Sequence, residues 1–194
     1  AWTMEYFAGF ADKIEGATIP VPGNRLNYTL RQPIGVTAHI IPWNFPLQLA
    51  LRSIAPALAA GCTVIAKPAS WTPRSLIAWM RVIDEAKVGL PDGVLQIITG
   101  SGKLIGDALA GHKGVDGIVL TGGVPTGQAV MAKASENLTP VTLELGGKGA
   151  NVVYPDANLK YAAKAICFGI FMNAGQMCWA CLLYTSPSPR DRQE

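Results

Sequence analysis

Three side chains in this sequence suit chemistry at an electrophilic carbon, and each stands among residues able to hold it in place. Cys178 closes the run Gly175-Gln176-Met177-Cys178, which follows a largely apolar stretch. A cysteine in a glycine-containing loop is a nucleophile wherever its surroundings favour the thiolate. Glu144 ends an apolar, β-branched run and precedes Leu145-Gly146-Gly147-Lys148. A carboxylate perched between a strand and a glycine turn can serve as a general base. Asn44 lies at the centre of Pro42-Trp43-Asn44-Phe45-Pro46. Its carboxamide offers two N–H donors to a developing oxyanion, and two prolines and two aromatics limit its motion. Taken singly, each has a plainer reading: an inert cysteine, an exposed glutamate at a turn, a rigid aromatic turn.

A second group of residues suits phosphates and sugar hydroxyls. Lys67-Pro68-Ala69-Ser70 follows a short apolar run, where a lysine at a strand's carboxyl end can meet ribose or phosphate or simply face solvent. Gly100-Ser101-Gly102 with Gly106, and Thr121-Gly122-Gly123-Val124-Pro125-Thr126-Gly127, would let backbone N–H groups and a helix N-terminus approach a pyrophosphate. Neither is the full G-x-G-x-x-G fingerprint, and no acidic residue follows at the required distance, so ordinary turns explain single glycines equally well. Cys178 and Cys181 form a C-x-x-C, but zinc needs a second pair or suitably spaced histidines, which His39 and His112 do not supply. We expect no metal, and we expect Cys62 and Cys167 to be inert core residues.

The elements that must position these groups alternate. Short β-branched runs at residues 36–41, 63–67, 94–98, 117–120, 141–143 and 150–154 are separated by helix-like stretches at about 47–60, 73–86, 103–110, 126–136 and 158–171. Gly61, Gly89 and Gly111 read as helix stops. This rhythm predicts an α/β class with parallel strands joined by helical crossovers. Residues 1–35 differ: an aromatic helical start (Trp2, Tyr6, Phe7, Phe10) leads through Pro20, Pro22 and Gly23 into a more polar stretch, which reads as a lead-in segment.

The composition bounds the function. Of 194 residues 49% are hydrophobic and 15% charged, with 21 Gly and 14 Pro, and the mean hydropathy is +0.26; disorder and collagen are excluded. Scattered charge summing to +3 calls for no nucleic-acid partner. The apolar stretch 47–66 is broken by Arg52, Pro56 and Gly61, short of the roughly 18 uninterrupted residues of a membrane span, so no membrane partner is expected. Four cysteines without a secretory leader point to a reducing, cytoplasmic setting.

In order, PWNFP, KPAS-x-TP, TGG-x-x-x-G, LELGGK and GQMC form a series that resembles the aldehyde dehydrogenase superfamily over about residues 4–180. The resemblance implies a Rossmann-like open parallel sheet with helices on both faces, followed by the start of a catalytic domain. It implies oxidation of an aldehyde to a carboxylic acid with NAD or NADP, with Cys178 as nucleophile, Asn44 and the Cys178 N–H holding the oxyanion, and Glu144 activating water for thioester hydrolysis. It assigns Ile40, Ile41, Pro42, Trp43 and Lys67 to the ribose and nicotinamide half of the cofactor, and Gly122, Gly123 and Gly127 to the pyrophosphate and adenine region. Ala69, Ser70, Gly100, Gly102, Gly106, Thr121 and Leu145 complete the cofactor set. Arg52, Met177 and Trp179 would shape the aldehyde channel, where Arg52 can pair with an anionic substrate tail or face solvent or a subunit.

Two departures matter. Many NAD-preferring members carry Glu where this chain has Ser70, which leaves no carboxylate to repel a 2′-phosphate; and Gly123 stands where the family usually has Ser. We expect a lead-in at 1–35, an NAD(P)-binding core at 36–145, the start of the catalytic domain at 146–180, and an unstructured tail foreign to the family at 181–194. The resemblance further implies that the chain is an internal fragment whose full-length protein forms homo-oligomers. The alternative reading is a catalytically incompetent fragment or a non-enzymatic dinucleotide-binding scaffold.

Overall fold

The structure is a computed structural model that describes residues 2–147 and 149–179. The expected tail at 181–194, Cys181 and Lys148 therefore lie outside the described residues. The chain divides into two compact units, one ending at Glu144 and one beginning at Leu145.

The first unit is built on strands β1 (Val36–Ile40), β2 (Thr63–Lys67), β3 (Leu95–Ile97), β4 (Gly117–Gly122) and β5 (Val141–Leu145), in the spatial order β3-β2-β1-β4-β5. β1 pairs in parallel with both β2 and β4, and β2 with β3. Three of the five residues of the central strand β1 are buried, as expected of a parallel strand covered on both faces. β5, at one end of the order, alternates half-buried with exposed positions. The Asp116 carboxylate accepts the Val36 N–H at 2.8 Å, which ties the start of β1 to the approach to β4.

Helices α1 (Trp2–Ala8), α2 (Pro46–Ala59), α3 (Arg74–Ala86), α4 (Asp107–Ala110) and α5 (Val124–Ala134) belong to this unit. Because successive strand side chains point to opposite faces, Ile41, Val64 and Ala66 share one face, and they cluster there with Leu49, Ala50 and Ile54 of α2 and Leu76 of α3. Ile40 points the other way and lines a cleft with Pro125 and Val130 of α5. Helices therefore cover both faces of a parallel sheet, and the α/β, Rossmann-like expectation holds.

Local chemistry sets the helix ends. α2 begins on Pro46 and yields to Gly61 at φ +79°, a left-handed stop that only glycine adopts without penalty. α5 starts two residues ahead of expectation, with Pro125 in its first turn, where a missing N–H is no loss. The expected helix at 103–110 is instead a π-helical turn, Gly102–Gly106, followed by the short α4; two glycines weaken the regular helix, and the Ser101 hydroxyl accepts the Leu104 N–H at 3.2 Å.

The second unit holds α6 (Leu159–Phe171), capped by Asn158, and a tight turn at Met172–Gly175. The strand expected at 150–154 is not formed: these residues are irregular, with no ladder partner among the described residues. Cys167 is corrected likewise. It is exposed rather than in the core, because no residue of α6 is buried. Cys62 is buried as expected.

Candidate active site

The strand order reverses between β1 and β4, and in open α/β sheets ligands bind outside the carboxyl ends of the strands at such a switch. The loops leaving these two strands are Ile41–Phe45 and the Gly122-Gly123 junction into α5. Ile40 closes β1; Ile41 is buried, and its N–H donates to the Lys67 carbonyl at 3.0 Å, which locks the end of β1 to the end of β2. Pro42, Trp43 and Asn44 follow directly, so the Asn44 carboxamide is carried by a short, half-buried connection between a central strand and α2.

Lys67, the last residue of β2, is only 3% exposed. Burial pushes its ammonium below the ordinary value of 10.5, and Nζ donates to the Pro68 carbonyl at 3.2 Å. An ammonium has three N–H donors, so it can also serve a ligand hydroxyl or phosphate. Ala69 and Ser70 form the turn beyond it; the Ser70 hydroxyl donates to the Gly100 carbonyl at 2.9 Å and so joins the loops after β2 and β3.

Gly102 and Gly106 lie with Ile40, Pro125, Thr126 and Val130 around a cleft of about 360 Å³. Gly123 caps α5 with no side-chain bond to the helix, so the first-turn N–H groups of this 11-residue helix face outward at the switch, and Gly127 is buried where α5 meets the sheet.

Arg52, on the exposed side of α2, reaches across the same sheet end. Its Nη2 donates to Thr121 Oγ1 at 3.3 Å and lies 3.8 Å from Glu144 Oε2. Both charged side chains are about half exposed, so this ion pair steers the carboxylate only weakly. Arg52 and Gln48 also form one wall of a cavity of about 290 Å³, whose other wall is Trp2, Thr3, Tyr6 and Phe7 of α1. The aromatic lead-in thus shares a cavity with Arg52.

His39 is the residue the motif reading passed over. It is 1% exposed on β1; its Nε2 is 2.9 Å from Thr37 Oγ1, while the Thr37 hydroxyl donates to the Thr63 carbonyl at 2.8 Å. That hydroxyl then accepts from Nε2–H, which leaves Nδ1 buried without a partner. Burial lowers the His39 pKa from 6.5 to about 4, so the ring is neutral.

In the second unit Met177 is buried, Cys178 half-buried and Trp179 exposed. Asn173, Ala174 and Gly175 all have positive φ, a run that strains two non-glycine residues immediately before Gln176-Met177-Cys178. The Gly147 N–H donates to the Cys178 carbonyl at 3.3 Å, so the glycine turn beyond β5 is tied to the cysteine loop. Leu145 ends β5 half-buried. Among the described residues no cluster of three His, Cys, Asp or Glu has the arrangement of a metal site, and no helix is long and apolar enough to cross a membrane.

The sequence profile of the aldehyde dehydrogenase family matches residues 1–185. The chain belongs to this family. It is 48% identical over 177 residues to hydroxyisobutyraldehyde dehydrogenase of Mycolicibacterium austroafricanum, an alignment covering 91% of this chain and 35% of that protein. It is 48% identical over 179 residues to retinal dehydrogenase 2 of Taeniopygia guttata, covering 92% and 34%. PnpE from Pseudomonas sp. WBC-3, solved in complex with nicotinamide adenine dinucleotide, superposes with a TM-score of 0.88 at 46% identity over 92% of this chain and 36% of PnpE. The chain spans about a third of the length of these aldehyde dehydrogenase relatives.

Proposed function

We propose that the protein carrying this chain oxidises an aldehyde to a carboxylic acid with NAD or NADP through a thioester on Cys178. One observation carries the reading: family membership across residues 1–185 in a chain whose sequence carries a nucleophile, an oxyanion donor and a base at the family's motif positions, as Cys178, Asn44 and Glu144. The Cys178 thiolate adds to the carbonyl carbon, and the Asn44 carboxamide and the Cys178 N–H donate to the oxyanion. The bound nicotinamide supplies the hydride acceptor for that carbon. Glu144, as carboxylate, then takes a proton from the water that attacks the thioester, and Cys178 departs as the acid forms.

The residues at the sheet end fit a dinucleotide. The buried Lys67 ammonium suits a ribose hydroxyl, the outward N–H groups of α5 suit a pyrophosphate, and the cleft walled by Ile40, Pro125 and Val130 suits a planar base. Ser70, engaged with the Gly100 carbonyl, places no carboxylate against a 2′-phosphate, which supports use of either NAD or NADP. On the family resemblance we assign Arg52, Met177 and Trp179 to the aldehyde channel. The whole protein acts as a cytoplasmic homo-oligomer with a catalytic domain continuing from residue 146 and without a nucleic-acid or membrane partner.

The test is thiol chemistry. Iodoacetamide is expected to modify Cys178 well ahead of buried Cys62, the aldehyde to protect it, and Cys178→Ser to abolish turnover while dinucleotide still binds. Equally slow labelling of the two, with binding but no turnover in the unmodified protein, supports a non-catalytic scaffold instead.

A further inference from the structure

Trp71 has a place in the fold that none of the reactions above explains. It is 83% exposed, the most exposed tryptophan among the described residues. An indole left in water forgoes the stabilisation that burial of its apolar surface would bring. It is not loosely held. The turn that carries it is closed by the Thr72 N–H donating to the Ala69 carbonyl at 3.0 Å and anchored by the Ser70 hydroxyl on Gly100, and Pro73 leads on into α3. Its ring meets that of Trp43 with centroids 6.3 Å apart and planes tilted by 53°. Trp43 follows β1 and Trp71 follows β2, so the pair spans two adjacent strand ends on the side of the sheet where Lys67 stands.

We propose that Trp71 is a further cofactor-contacting residue that forms with Trp43 an aromatic wall over the ribose side of the dinucleotide site; this rests on the reading of that site given above. Indole faces stack on nucleobases and sugars, and a tilted pair offers such a face while keeping its own edge contact. Its chain neighbours Ser70, Thr72 and Arg74 are polar or charged, whereas a subunit contact centres on a broad apolar patch, which favours a dinucleotide over a protein surface as the occupant. A preformed turn, hydrogen-bonded to the loop after β3, presents the ring without having to order on binding.

The experiment titrates NADH into the whole protein and its W71A and W71F variants, following energy transfer from tryptophan to the reduced nicotinamide and, separately, calorimetric Kd. W71A is expected to raise Kd about tenfold, and W71F, which keeps an aromatic face, to recover most of it. Melting temperature and oligomeric state should not change, given the exposure of the side chain. An unchanged Kd in W71A overturns the proposal, and a changed oligomeric state with unchanged Kd assigns Trp71 to a subunit surface. If the wild-type protein binds no NADH, the cofactor-site reading itself falls.

Discussion

Glu144 shows how little of a residue's role its local contacts reveal. It is the penultimate residue of the edge strand β5, half exposed, with Arg52 at 3.8 Å as a weak partner. In Glu144→Gln the carboxamide cannot accept the proton, so a first turnover is expected to run as a burst and the acyl-enzyme to accumulate, with steady-state turnover down by about 10²-fold or more. Intact-mass analysis during the reaction would show the adduct on Cys178; a simple uniform slowing without adduct would remove Glu144 from this step. Ser70 carries a second expectation. Ser70→Glu places a charge where a 2′-phosphate would lie and is expected to lower the NADP-to-NAD ratio of kcat/KM by about tenfold. An unchanged ratio would place the ribose elsewhere.

At the scale of elements, β1 is both the centre of the core and the support of Asn44. Its His39 is neutral and buried, with Nδ1 unpartnered. The folded-state pKa of about 4 lies below the ordinary 6.5, so as pH falls the unfolded chain takes up its proton first. This contribution to stability is fully present above pH 6.5 and is lost as pH falls toward about 4, at up to about 1.4 kcal/mol per pH unit. His39→Gln is expected to flatten the acid limb of stability, measured as denaturant midpoints from pH 7 to 4. An identical slope in the variant would assign acid sensitivity to other groups.

For the whole molecule, the chain is 48% identical both to a relative named for hydroxyisobutyraldehyde and to one named for retinal. The matched third is therefore equally similar to relatives named for two different aldehydes and does not separate them. The candidate cofactor groups before Leu145 lie in the first unit and Cys178 in the second. A piece ending at Glu144 is accordingly expected to bind dinucleotide and to oxidise no aldehyde, as calorimetry and an NADH-formation assay would show. Loss of binding would mean that residues past Glu144 complete the cofactor site.

The α/β class and its parallel habit are legible in the chain, because alternation of β-branched runs with helical stretches is written in local windows of side-chain type. The sequence also carries the motifs, since chemistry depends on residue identity. It misread 150–154, whose β-branched residues suit a strand but find no neighbour to pair with, and Cys167, whose helix looks core-like only in composition. Only folding in three dimensions sets the order β3-β2-β1-β4-β5, which brings the loops after β1 and β4 side by side although about eighty residues separate them. It alone paired Trp43 with Trp71 and Arg52 with Thr121. Strand order and such contacts come from how crossover helices pack on a twisted sheet, a long-range balance of burial that no local pattern records.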